Sequence, residues 1–299
     1  MNRDPIEQGM LRALDGLVRA LELETLGDDR FRARSEPARF ERVFGGQSLA
    51  QALLAAGSTV NAKTPDSLHA YFVEAGTPDE PVELAVDRIR DGRSISLRRV
   101  SVSQAGRPLL VMMASFHANP ARPELGDPAP SAPSPETLPR MQDFVRDAPP
   151  EWRGNASRWI DRPPPVEIRI GEPPYFLSSR SAKGPRSHWM RVPREVGEDP
   201  QLHTALLAYA SDFFLLDMAY RSYPEPVAGR GFTGTSLGHA LWFHRPVRFD
   251  RWHLHTQETV AISGERGLVR GAIHDADGRL VASVTQEVLV RAAREAPAR

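Results

Sequence analysis

Ser263-Gly264-Glu265-Arg266-Gly267-Leu268-Val269-Arg270 runs through the turn Asp275-Ala276-Asp277-Gly278-Arg279 into Leu280-Val281-Ala282-Ser283-Val284-Thr285-Gln286-Glu287-Val288-Leu289-Val290, and this stretch decides the fold. Apolar residues alternate in period two between turns that carry glycine, as in antiparallel strands joined by hairpins. The pattern occurs twice. Asp91-Gly92-Arg93 also precedes an alternating strand, Gln104-Ala105-Gly106-Arg107 also makes a turn, and a second strand runs on to Phe116. Gly92 and Gly106 recur as Gly264 and Gly278, each 172 residues further on.

Outward from these hairpins the duplication continues. Ser67-Leu68-His69-Ala70-Tyr71-Phe72 stands upstream of the first copy, and Ser236-Leu237-Gly238-His239-Ala240-Leu241-Trp242-Phe243 upstream of the second. Before each lies an apolar, small-residue segment of helical period, about 45–60 and about 202–220. Each half therefore reads as one helix followed by an antiparallel sheet, an α+β unit. Prolines from Pro120 and Pro123 through Pro139 to Pro163-Pro164-Pro165 separate the halves, since each fixes φ and removes a donor. The expected domains are 1–120, with a leading helix opened by Asp4-Pro5, a linker at 121–165, and 166–299.

Composition narrows the function. Lys+Arg 38 balances Asp+Glu 38, which argues against binding a nucleic-acid backbone. With Cys 0 there is no disulfide, cysteine nucleophile or thiolate metal site. Met1 to Gln8 lack an apolar leader and no apolar run could span a bilayer, so a cytoplasmic protein without membrane partners is expected.

Chemistry should show as polar groups where packing prefers carbon. In a helix over 202–220, Asp212 would have Ala208, Tyr209, Leu215 and Leu216 as neighbours, which puts its carboxylate on an apolar stripe. The alternative is a helix break near Ser211 with Asp212 capping a new turn. Asp217 has Arg221 four residues on, an ordinary surface pair. On the last strand, Gln286 is the one polar residue on the face of Leu280, Ala282, Val284, Val288 and Val290, and 172 residues earlier stands Ala114. An unpaired buried amide costs about 1–3 kcal/mol, so Gln286 serves either a site or a helix end.

Other motifs leave alternatives open. Gly234-Thr235-Ser236-Leu237-Gly238 fits a nucleophile elbow, yet no helix can open in the residues that follow, so Ser236 is a turn residue or a site residue. Gly45-Gly46-Gln47 would let helix N–H groups face an oxyanion or phosphate, or would serve close packing. His253 and His255 share a strand face without a third ligand at suitable spacing. Arg98-Arg99 and Arg88-Ile89-Arg90 read as solvated faces, one of which could meet a substrate's phosphates.

On Arg42-Val43-Phe44-Gly45-Gly46-Gln47, Leu68-His69-Ala70-Tyr71-Phe72, Arg90-Asp91-Gly92-Arg93-Ser94, Met113-Ala114-Ser115-Phe116, Tyr209-Ala210-Ser211-Asp212, Trp242-Phe243-His244-Arg245-Pro246 and Leu280-Val281-Ala282-Ser283 leading to Gln286-Glu287, the chain resembles the acyl-CoA thioesterase II family. The resemblance implies a double hot-dog, two repeats each wrapping an antiparallel sheet around a central helix. It implies hydrolysis of acyl-CoA to a carboxylic acid and CoA, with the water held by Asp212, Ser236 and Gln286. Ser236 stands where the family has Thr or Ser. Oxyanion or substrate binding then falls to Gly45, Gly46 and Gln47, with no cofactor or metal, and the double unit is expected as a homodimer or homotetramer. The rival readings are a serine esterase built on Ser236, a hot-dog hydratase or dehydratase, and a non-catalytic acyl-CoA-binding protein.

Overall fold

The computed structural model describes residues 4–37, 41–118, 125–148, 156–178, 180–224 and 232–292; Pro120 and Pro123 lie outside them. Helix α1 (Pro5–Ala20) opens on Asp4, whose carboxylate accepts the Ile6 N–H at 3.1 Å, and buries Ile6, Met10, Leu14 and Leu17. Then come β1 (Glu24–Gly27), β2 (Arg30–Ala33), α2 (Gly45–Gly57), β3 (Thr64–Phe72), β4 (Val82–Asp91), β5 (Ile95–Gln104) and β6 (Arg107–His117). Among its described residues, the proline-rich region carries a 3-10 turn at Pro135–Thr137 and two short helices, α3 (Met141–Asp147) and α4 (Arg158–Asp161). The second half holds β7 (Glu167–Ile170), α5 (Tyr175–Ser178), β8 (Arg186–Arg191), α6 (Pro200–Ser211), α7 (Leu215–Arg221), β9 (Phe232–Phe243), β10 (His253–Ser263), β11 (Arg266–Asp275) and β12 (Leu280–Ala292).

All these strands join one antiparallel sheet in the order β1-β2-β4-β5-β6-β3-β9-β12-β11-β10-β8-β7. The second half repeats the first in reverse about the β3–β9 seam, where Ser67 pairs Trp242 and Tyr71 pairs Gly238. Short strands β1, β2, β7 and β8 extend each half at its outer edge, beyond the helix-then-strands pattern read from the sequence. The hairpin loops use backbone that few side chains tolerate: Ala105 and Gly106 have φ of 46° and 79°, Gly264 and Glu265 of 57° and 62°. Each pair is a two-residue turn with both φ positive, which matches the strand twist.

Helix α2, rich in Leu and Ala with Gln47, Ser48 and Gln51 among them, is buried except at Gly45 and Leu54, because the first half-sheet covers one side of it and α6 the other. Gly46 makes that contact possible. A Cβ there would stand 2.2 Å from the Tyr209 carbonyl oxygen of α6. Each half-sheet thus wraps one buried helix, the α+β double hot-dog arrangement that the resemblance implies.

Three expectations need correction. The segment 202–220 is two helices, not one: α6 stops at Ser211, Asp212 is its C-cap, and Phe214 takes a left-handed φ of 65° before α7 starts. Asp217 is no surface partner of Arg221. It is buried, ion-paired at 2.8 Å with the buried Arg186 of β8, and accepts the Tyr175 and Phe176 N–H groups at 3.0 and 3.2 Å. The kink after Asp212 rotates α7 so that Asp217 faces inward, while Arg221 reaches Glu172 at 3.0 Å. Finally, Arg98 is not solvated. It is 1% exposed, with Nη2 2.6 Å from Asp91 and 3.0 Å from the Thr59 carbonyl, and Nε 2.7 Å from the Thr59 hydroxyl. Strand alternation turns Arg98 inward, where its guanidinium satisfies the Thr59 carbonyl just past the end of α2 and the Arg90 and Leu97 carbonyls of the sheet.

Candidate functional site

The site forms where the C-terminal end of α6 meets the N-terminal end of α2. Phe44, the residue before α2, offers no capping side chain, so the first N–H groups of the helix need an acceptor from elsewhere. Asp212 supplies it. Its Oδ2 accepts the Gly46 N–H at 3.0 Å, across 166 residues of chain. A Cβ on Gly45 would lie 2.8 Å from that same oxygen and 3.0 Å from the Phe72 ring, so glycine leaves the carboxylate its space.

From the sheet, Ser236 of β9 and Gln286 of β12 reach the same carboxylate. Gln286 Nε2 donates to the Ser236 hydroxyl at 3.0 Å, and both side chains face Asp212 closely enough to pull its pKa down. The three residues singled out in the sequence are therefore together. Desolvation pushes the Asp212 carboxyl up from 3.8 to about 7, against the opposing pull of hydrogen bonds from Gln286, Gly46 and Ser236. Burial wins because the surroundings are carbon: Phe72 lies beside Gly45, and Phe44 packs on Tyr209 and Phe213 at centroid distances of 5.1 and 5.0 Å. A carboxylate poised near neutrality can take a proton from water and return it.

The Gly45-Gly46-Gln47 segment divides by role. Gly46 gives its N–H to Asp212, and the Gln47 N–H goes to the Phe44 carbonyl at 3.0 Å. The Gln47 side chain is fully buried and committed to packing: its Oε1 accepts the Glu36 N–H at 2.9 Å and its Nε2 donates to Gln51 at 3.3 Å. Gly45 opens the helix beside the carboxylate.

Gly234 to Gly238 lie inside β9, with no strand-to-helix turn, so the geometry of a nucleophile elbow is absent and Ser236 faces a carboxylate and an amide instead. His253 and His255 are both buried. His253 Nδ1 bonds the Arg251 carbonyl at 2.9 Å, while His255 stands beside His188 and Gln257. Burial lowers both pKa values, that of His255 to about 3.

One residue at the site escaped the sequence reading. His239, 2% exposed on β9, pairs across the sheet with Gln286 and brings Nδ1 to 2.5 Å from its Oε1. Its Nε2 is 3.0 Å from the Ser211 hydroxyl. The first half shows what this position holds without a site. There Leu68 pairs Ala114, and Ala114 pairs the buried Arg98, whereas in the second half His239 pairs Gln286 and Gln286 pairs Val269.

Comparison with known proteins finds relatives that cover most of the chain. Residues 34–117 match the model of an acyl-CoA thioesterase N-terminal domain, and residues 129–290 that of an acyl-CoA thioesterase C-terminal domain. The chain is 34% identical over 280 residues to human acyl-coenzyme A thioesterase 8, covering 91% of this chain and 87% of that one. It is 32% identical over 282 residues to acyl-CoA thioesterase 2 of Haemophilus influenzae, covering 93% and 98%. Among solved structures, the acyl-CoA thioesterase II TesB2 of Mycobacterium marinum superposes with a TM-score of 0.75 at 32% identity, over 93% of this chain and 98% of that one.

Proposed function

The chain belongs to the acyl-CoA thioesterase II family, and from that premise we propose that it hydrolyses acyl-CoA thioesters with one water held by Asp212, Ser236 and Gln286. The observation that carries the residue assignment is the convergence of these side chains on a carboxyl pushed up to about 7. Asp212 acts as the general base. It takes a proton from the water as the water oxygen attacks the thioester carbonyl carbon. Ser236 and Gln286 orient the water, which spends ordering entropy before the reaction.

The carbonyl oxygen gains negative charge as the tetrahedral intermediate forms. The Gly45 N–H, at the positive end of α2, is the donor we assign to it, since the neighbouring N–H groups already serve Asp212 and Phe44. Collapse of the intermediate breaks the carbon–sulfur bond. The proton held on Asp212 passes to the departing thiolate, leaving the free acid and CoA. The acyl chain is assigned to the half-buried rings of Phe44 and Phe72 beside the carboxylate. The working unit is read, on the family resemblance, as a cytoplasmic homodimer or homotetramer.

A thiol-release assay over a panel of acyl-CoAs tests the reading. Free thiol in proportion to free acid is the expected result. Binding without thiol release would mean an acyl-CoA-binding protein, and loss of a conjugated double bond with CoA retained would mean a hydratase; either outcome refutes the proposal.

A further inference from the structure

We propose that His239 is a positioning residue for this reaction, its Nδ1–H locking the Gln286 amide with the NH2 group toward Asp212 and Ser236. The inference rests on the function proposed above and adds a member the water-binding set does not include. It follows from proton accounting. Ionised Asp212 can only accept hydrogen bonds, so the Gln286 group that faces it must be the NH2, and Oε1 must face His239. An imidazole 2.5 Å from an amide oxygen must carry its proton on that nitrogen.

Nε2 is then left as an acceptor, and the Ser211 hydroxyl at 3.0 Å is placed to donate to it. The same hydroxyl also stands 2.8 Å from the Ala208 carbonyl. That one proton faces both acceptors, the Ala208 carbonyl and Nε2, and burial keeps the ring neutral by lowering its pKa to about 4. A directed chain results, from His239 through Gln286 to Ser236 and Asp212.

Without the imidazole, the amide keeps only its contact with the Ser236 hydroxyl, which can accept from the NH2 group or donate to the carbonyl oxygen and so does not fix its orientation. A turned amide puts a carbonyl oxygen against Asp212, removing one hydrogen bond from the ionised form and adding repulsion. The groups facing Asp212 are the Gly46 N–H from α2, Ser236 from β9 and Gln286 from β12. The titratable groups behind them are His239 on β9 and His255 on β10, both held uncharged by burial. The pH response of the reaction therefore reports on Asp212.

The test compares wild type, His239→Leu, His239→Asn and Gln286→Ala in hydrolysis of one acyl-CoA from pH 5 to pH 9. Leucine fits the position, since the first half carries Leu68 there. Asparagine places an N–H near the site of Nδ1–H. We expect His239→Leu to lower kcat by about 10- to 100-fold with KM little changed. The acidic limb of its kcat/KM profile should move up by about one pH unit. His239→Asn should restore most of kcat and return the limb toward wild type. An impaired Gln286→Ala beside a normal His239→Leu would overturn the positioning role alone. Wild-type turnover in Gln286→Ala would instead remove the parent reading. A His239→Leu protein that is slower but keeps the wild-type pH limb, or one that His239→Asn fails to rescue, would make His239 merely structural.

Discussion

Replacing Asp212 by asparagine should stabilise the fold at alkaline pH and do so much less at acid pH, while abolishing most activity. The folded protein holds the Asp212 proton up to about pH 7, against an ordinary value of 3.8. Between those values the native state binds more protons than the unfolded chain, so this group's contribution falls as pH rises through that window. Above it the ionised carboxylate costs the fold about 4 kcal/mol. At pH 5 the same linkage leaves less than half of that cost. Asparagine has nearly the same shape, its Oδ1 still accepts the Gly46 N–H, and it carries no charge at either pH. Any fixed difference in packing cancels between the two conditions. Urea unfolding of both proteins at pH 5 and pH 8, followed by far-ultraviolet circular dichroism, should show the variant's advantage growing by about 2–3 kcal/mol at the higher pH. An equal difference at both pH values would mean that the carboxylate is as well solvated in the fold as out of it. The argument for a base poised near neutrality would then fail.

Further outcomes follow from other contacts. Gln286→Ala should reduce kcat by about 100-fold in steady-state thiol release, with an unchanged circular dichroism spectrum. Gly46→Ala forces a Cβ to within 2.2 Å of the Tyr209 carbonyl, so α2 and α6 must separate; a loss of about 2 kcal/mol or more is expected in denaturant titration, and wild-type stability would contradict the contact. Asp217→Asn leaves the Arg186 guanidinium buried without its counter-charge and should cost about 3–5 kcal/mol, whereas Asp217→Leu combined with Arg186→Met should recover much of that in the same titration. A serine-directed phosphonate should leave Ser236 unlabelled, as judged by peptide mass, because Asp212 takes its proton from the water and the Ser236 hydroxyl serves to hold that water.

The duplicated hairpins made the halves legible because a two-residue turn and period-two alternation are local properties. Gln286 and Asp212 stood out for the same reason, as polar groups among apolar neighbours. His239 did not. The path from β9 to β12 is one residue longer than from β3 to β6, so the offset that aligns Gln286 with Ala114 sets Ser67 against His239. A one-residue slip in a strand exchanges its faces, and only the register shows that Leu68 is the true counterpart. The break near Ser211, open in the sequence only as the alternative to a continuous helix, is the one the structure takes. Leu215 and Leu216 suit a continuing helix, and the left-handed turn at Phe214 is imposed by packing between Trp159 and His188. Arg98 and Asp217 misled because a charged side chain reads as exposed until its buried partner is known. Edge strands of four to six residues left too short a period to detect.

The central claim is that water held by Asp212, Ser236 and Gln286 attacks the thioester directly. A single-turnover reaction with enzyme in excess, run in 18O-labelled water and followed by quenched-flow and intact-protein mass, tests it most directly. The account predicts that free thiol and free acid appear together, that the acid carries one oxygen from solvent, and that the protein mass never changes. Thiol released ahead of acid, with the protein heavier by one acyl group, would contradict it.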